Sequence, residues 1–227
     1  MSKWFALFVF GAAVATLPAQ SIAPGTVQAT GAVTLNVNPD QVSIDVTVTT
    51  QGPTAQQAAA KNATQTATVV SALKQLLGST GNVQTINYSV YPLYSNSPGQ
   101  SGVIVGYNAS NSVRATTSDL TLPGPLIDTA NQAGATNIGN LTFSLQNNDP
   151  TLQQALSAAA KQAQAHAAAI AAGLGAKTGA VVSAQQSTTV NTPIYVGVGA
   201  ASGTSTPVET GLVTVSATVV LTVQLSQ

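Results

Sequence analysis

The sequence has no cysteine, one histidine, one tryptophan, and only 5% charged residues in 227 positions. Without cysteine there is no disulfide framework, no thiolate zinc site, no iron–sulfur cluster and no cysteine nucleophile. A single histidine rules out a multi-histidine metal centre. Six Lys and Arg against six Asp and Glu give zero formal net charge. An electrostatically driven nucleic-acid binder needs a basic face, and zero net charge argues against one. No Asp-x-Asx-x-Asx-Gly calcium loop occurs. Gly197-Val198-Gly199 lacks the third glycine and the acidic partner of a dinucleotide site. What is abundant is apolar and small: 44% of residues are hydrophobic, enough to bury a core in one or two domains. No metal, no cofactor and no catalytic residue is expected.

The N-terminus reads as a secretory signal peptide over residues 1–23. Lys3 supplies the positive charge, Trp4–Leu17 is an uncharged apolar run, and small residues follow to Ala23. Ser21-Ile22-Ala23 and Ala19-Gln20-Ser21 compete as cleavage signals, and an uncleaved anchor is the rival reading. The apolar run falls short of the roughly 20 residues of a comfortable membrane span. No integral span is expected after signal removal.

From Val27 onward the pattern alternates every second residue. Val33, Leu35 and Val37 precede the turn signal Asn38-Pro39-Asp40. Val42, Ile44, Val46 and Val48 follow, which predicts two antiparallel strands joined as a hairpin. A helix is predicted from about Pro53 to Leu77, stopped by Gly78. Its stripe holds Ala55, Ala59, Asn62, Thr66, Val69, Leu73 and Leu77, and the amide of Asn62 needs partners there. Strands are expected at Val83–Tyr94 and Val103–Asp119, with Ser95–Gly102 as the hairpin loop. A short helix is expected from Pro123 to Gly134 and a strand at Ile138–Gln146. Asp149-Pro150 marks a helix start with Asp149 as N-cap. That helix runs to about Gly173, with Leu152, Leu156, Ala159, Ala163, Ile170 and Leu174 as its apolar stripe. A strand at Ala180–Gln186, a flexible loop-rich insert near 187–206 and a long final strand over Val213–Leu225 complete the chain. The order ββαββαβαββ predicts an α+β domain over 27–227, mainly an antiparallel sheet covered on one face by two long amphipathic helices and one short one.

Few side chains offer chemistry. His166 lies roughly 60° from the centre of its helix stripe, a boundary position. The carboxylates Asp40, Asp45, Asp119, Asp128, Asp149 and Glu209 are scattered in turns, caps and strand ends, so a carboxylate-based hydrolase is a remote alternative. Tyr88, Tyr91 and Tyr94 near one strand end, with Asn108 and Arg114, are the candidate ligand-binding residues for a sugar or peptidoglycan fragment. Three-residue spacing splits the tyrosines between strand faces. Arg114 also has a structural option, pairing with Asp45 or Asp119.

Six stretches together resemble one family. They are GAVTLNVNPD (31–40), VQTINYSVYPLY (83–94), GYNASNSV (106–113), LIDTANQAGATNIGNLTF (126–143), ALSAAAKQAQAHAAAIAAGLG (155–175) and the valine-rich last strand. The chain resembles the SIMPL-domain family of bacterial periplasmic immunogenic or outer-membrane antigens. Thr210-Gly211 stands where the family usually has Pro-Gly, and Gln, Thr and Ala replace most of its charged residues. The resemblance implies a periplasmic, outer-membrane-associated or secreted α+β protein without assigned enzymatic activity. It also implies homo-oligomers, partners among envelope proteins or glycans, and a link to envelope or oxidative stress tolerance. The residues themselves agree with self-association, since an exterior with few charges offers little repulsion.

Overall fold

The computed structural model describes residues 25–98, 102–192, 194–195 and 208–227. The expected signal segment lies outside the described residues, as does most of the expected insert. The strands are β1 (Thr26–Val37), β2 (Gln41–Gly52), β3 (Gly81–Tyr94), β4 (Ile104–Thr117), β5 (Asn137–Ser144), β6 (Lys177–Asn191), β7 (Ile194–Tyr195) and β8 (Val213–Ser226). The helices are α1 (Ala55–Leu77), α2 (Pro123–Gln132) and α3 (Asp149–Gly173). The architecture is α+β and the expected order holds, with two-residue β7 added inside the insert. Ser187–Asn191, expected to open that insert, instead continue β6 in register with β8.

The strands form two antiparallel sheets, in the orders β1-β8-β6 and β3-β4-β2-β5-β7. The expected β1–β2 hairpin is therefore absent. β1 pairs along its whole length with β8, while β2 lies between β4 and β5. Asn38-Pro39-Asp40 serves as a bend between sheets. A tight hairpin turn wants left-handed backbone, and none of these three residues has it. Asp40 is instead anchored to the end of β5, its N–H donating to Ser144 O at 3.1 Å and its carboxylate accepting from Gln146 N at 2.6 Å.

Each sheet buries one face under helix. The larger core gathers Val42, Ile44, Val46 and Val48 of β2 with Val69, Leu73 and Leu77 of α1, closed by Leu126 and Phe143. Thr54 caps α1, its hydroxyl accepting from Gln57 N at 3.2 Å, and Gly78 ends it at φ 54°. Asn62 is fully buried on this helix and is satisfied by strands. Its Nδ2 donates to Val48 O at 2.8 Å and to Ala109 O at 3.0 Å. The inner line runs through Ala58 rather than Ala55 and Ala59, because Gly52 lets β2 approach the helix at Ala58.

The smaller core departs further from expectation. α3 buries Ala155, Ala159, Ala163, Ala167 and Ala171, one small residue per turn. Leu152 and Leu156 flank this line half-buried, and Ile170 and Leu174 are exposed. Ala159 and Ala163 of the expected stripe do lie on the buried line, but counting large apolar residues also selects Ile170 and Leu174, which this close helix–sheet contact does not admit. The contact is closest at Gly31 of β1, where a Cβ would run into the backbone oxygen of Ala159 and nitrogen of Ala163. Val213, Val215, Ala217, Val219, Leu221 and Val223 of β8 fill the rest. Asp149 is the first helical residue and Asn148 the N-cap, without a side-chain capping bond. Asn147 turns the chain there, its Oδ1 accepting from Asp149 N at 3.0 Å.

Gly31→Ala forces helix backbone away from strand backbone, and overpacking of this kind costs about 1–3 kcal/mol. The urea midpoint is expected to fall accordingly, whereas Gly139→Ala, which meets nothing within 4 Å, leaves it unchanged or slightly raised.

Candidate functional site

The face of the larger sheet opposite α1 carries side chains of alternate residues from β2, β3 and β4. Val42, Ile44, Val46 and Val48 point to the core, so Ser43, Asp45, Thr47, Thr49 and Gln51 occupy the other face. β4 brings Ser110, Ser112 and Arg114 opposite Thr49, Thr47 and Asp45. Hydroxyls meet across the strands, with Thr47 Oγ1 2.7 Å from Ser112 Oγ and Thr49 Oγ1 3.5 Å from Ser110 Oγ. This is a surface of short hydroxyl side chains with one ion pair set into it.

That pair is Arg114 and Asp45. Nε donates to Oδ1 at 2.6 Å and a terminal nitrogen to Oδ2 at 2.9 Å, a two-pronged contact. Asn140, at the irregularity in β5, adds a bond to Oδ2 at 3.1 Å. The Arg114 hydrogen bonds outweigh burial and hold the Asp45 carboxyl below its ordinary 3.8, with Asn140 helping. The same contact raises Arg114 further above its usual value. Of the two partners foreseen for Arg114, the structure takes Asp45. Asp119 sits elsewhere, its carboxylate accepting from the Thr121 hydroxyl at 2.6 Å and from Thr121 N at 2.9 Å.

The five candidate ligand residues are not gathered into one groove. Tyr91 and Asn108 are opposite each other on the hydroxyl-lined face, and Asn108 Nδ2 donates to the Tyr91 hydroxyl at 3.3 Å. Asn108 is buried, and its Oδ1 has no partner among the described residues. Arg114 shares that face but is three alternate positions along β4 and is engaged by Asp45. Tyr88 is opposite Asn111, on the face that holds Val113 and Ala115. Tyr94 pairs with Ile104, past the last residue of β2. Tyr88 and Tyr94 are 51% and 55% exposed, so neither is bound into a common wall with Tyr91.

His166 has a structural partner that sequence reasoning did not identify. Its Nδ1 lies 2.7 Å from Thr30 O on β1, and donates to it as a neutral Nδ1–H tautomer or as imidazolium. One turn earlier on α3, Gln162 Oε1 accepts from Ala32 N at 2.8 Å. β1 is the border strand of its sheet, so these two side chains occupy the middle of its outer edge. The four-residue spacing of Gln162 and His166 was legible. The strand they reach was not, because the residues contacted lie 130 and 136 positions away. Among the described residues no three His, Asp or Glu side chains cluster as metal ligands, and no helix is long and apolar enough to cross a membrane.

Asp45→Asn removes the charge pair from a half-covered surface, a loss on the order of 1 kcal/mol at pH 7. A folded pKa held below the unfolded one stabilises above the unfolded value and is lost as pH falls through the folded value. The stability gap between the native chain and Asp45→Asn, read by urea denaturation, therefore shrinks as pH drops below about 4.

No curated protein matches the chain. The model of one family, described as SIMPL, Protein of unknown function (DUF541), matches residues 27–223 and so takes in both sheets and all three helices. The match spans nearly all of the described structure, and the chain belongs to the SIMPL family.

Proposed function

We propose that this chain is an exported, non-enzymatic envelope protein that works by self-association and by binding envelope components, with a role in envelope or oxidative stress tolerance. The layout of residues 1–23 supports export, and the periplasm or outer-membrane surface is the destination proposed. His166, Asp45, Asp40 and Asp119 hold backbone or neighbouring side chains in place, which supports a scaffold.

The observation that carries self-association is β6. It is fifteen residues long and, among the described residues, pairs on one side only, with β8. From Ser183 to Asn191 its register is regular and its side chains are uncharged; Lys177, its only charge, lies at the irregular end. An uncharged border strand of this length is a template for another strand. The other borders are less available. Gln162 and His166 occupy the middle of β1. β3 is broken by an irregularity at Thr85–Asn87 and carries Pro92, which cannot donate. Antiparallel pairing of β6 with β6 of a second copy joins two three-stranded sheets about a two-fold axis.

Light scattering at micromolar concentration should give a discrete mass above the monomer. Gln185→Lys with Ser187→Lys places like charges across the new seam and should return the monomer with an unchanged circular dichroism spectrum. A clean monomer for the native chain rejects the proposal. The sugar-binding alternative rests on Tyr91 and Asn108, since Tyr88 is on the opposite face, Tyr94 lies past the end of β2 and Arg114 is engaged by Asp45.

A further inference from the structure

β1 lacks most of the features that keep a border strand from pairing. Such strands are protected by charge, proline, a bulge or a covering element. β1 has no charged residue and no proline, and its twelve residues match β8 without a break in register. β6, by contrast, is broken twice near its start. β1 is therefore the more regular template of the two, and among the described residues no strand lies on its outer side.

The backbone of β1 fixes which groups a further strand would meet. Leu225 N donates to Gly25 O at 2.7 Å, and the register runs on from there unbroken. Odd-numbered residues of β1 thus turn N–H and C=O towards β8, and the even-numbered ones from Thr26 to Asn36 turn theirs outwards. Thr30 O and Ala32 N belong to the outward set and flank Gly31. These are the groups that His166 and Gln162 engage, at 2.7 and 2.8 Å. Gly31 permits the reach, since a Cβ there would stand 3.0 Å from Gln162 Cβ. Both side chains are exposed, where a hydrogen bond adds little to stability.

We infer that Gln162 and His166 hold shut a second self-pairing edge on β1, and that a second copy of this chain is the strand they exclude. Two observations identify that occupant. The first is complementarity. An antiparallel β1–β1 seam about a two-fold axis satisfies the outward groups of both copies at once, and no charge on either strand opposes it. The second is room. Strands across the seam stand about 4.8 Å apart. α3 lies over both β1 and β8, so the two copies of α3 would run about 10 Å apart, an ordinary helix–helix distance. The size of the assembly follows. With β6 open and β1 closed, association stops at a pair. With both open, alternating β6 and β1 seams extend into an open filament. The pair rests on the β6 reading above, whereas the closure of β1 does not.

The test is light scattering of Gln162→Ala with His166→Ala, which suit a helix and leave the Gly31 contact and the buried alanine line of α3 in place. The two alanines are first made in the chain carrying Gln185→Lys and Ser187→Lys, so that β6 plays no part. Opening β1 there should about double the mass. Gln162→Glu with His166→Gln keeps an acceptor for Ala32 N and a donor for Thr30 O, and should leave the mass unchanged. Thr30→Lys with Thr34→Lys, added to the opened chain, sets like charges across the β1 seam and should reverse the gain. With β6 native, the same two alanines should give a mass that rises with concentration. The inference is overturned if the opened chain gains no mass, if the gain survives the β1 lysines, or if the acceptor–donor variant gains as much. It is also overturned if the alanines abolish the native circular dichroism spectrum, because the two side chains then hold the fold rather than close an edge. A native chain that is monomeric, or an opened chain with native β6 that stops at a dimer, rejects the β6 reading and leaves the closure of β1 standing.

Discussion

The close approach of α3 to β1 is the constraint on which the smaller sheet depends. A helix can lie against a strand at backbone contact only where both surfaces lack side-chain bulk. Gly31 supplies that on the strand, and Ala159 and Ala163 supply it on the helix. The approach has two consequences. Large apolar residues are displaced from the helix centre line to its flanks and C-terminal end, and Gln162 and His166 are brought within hydrogen-bond reach of the strand edge. The only imidazole in the chain is thereby tied to a backbone carbonyl. Packing at one glycine thus decides both what the helix buries and which sheet border is occupied.

The larger sheet solves a different problem. Its α1 side is a conventional apolar core, with one amide, Asn62, built in and satisfied by two strand carbonyls. Its opposite side is solvated by Ser and Thr rather than by charges, with Arg114 and Asp45 as the exception. A hydroxyl-lined face needs little side-chain ordering to pair across strands, and it generates no long-range field. The lack of charge continues along the β3–β4 hairpin. Surfaces of this kind do not repel a neighbour of the same composition, which is the physical basis of the proposed role in contacts.

Much of the architecture was legible because alternation and helical spacing are local signals. β8 alternates Val, Val, Ala, Val, Leu and Val with mostly polar residues, and its burial follows that alternation. The C-terminal end of α1 was readable from Gly78, while its start was expected at about Pro53 and lies at Ala55, after the Thr54 cap. The α3 stripe was read only in part, correctly at Ala159 and Ala163 but not at Ile170 and Leu174, because hydrophobicity ranks Leu and Ile above Ala, whereas the inside of a tight contact ranks by size. The candidate site was only partly legible for a similar reason. Three tyrosines at three-residue spacing are near neighbours in sequence, but Tyr88 and Tyr91 are on opposite faces of the strand and a register shift intervenes before Tyr94.

By itself, the sequence determined the element order, the α+β class, the faces of the long strands and the exclusion of thiolate and multi-histidine chemistry. These follow from composition and from periods of two and 3.6 residues, which any segment carries within itself. The tertiary structure decided that β1 and β2 part into different sheets, that Arg114 takes Asp45 rather than Asp119, and that Gln162 and His166 meet β1. Each of those depends on residues far apart in the chain arriving at one place, and their spacing in the sequence does not encode which partner is nearest when the backbone closes.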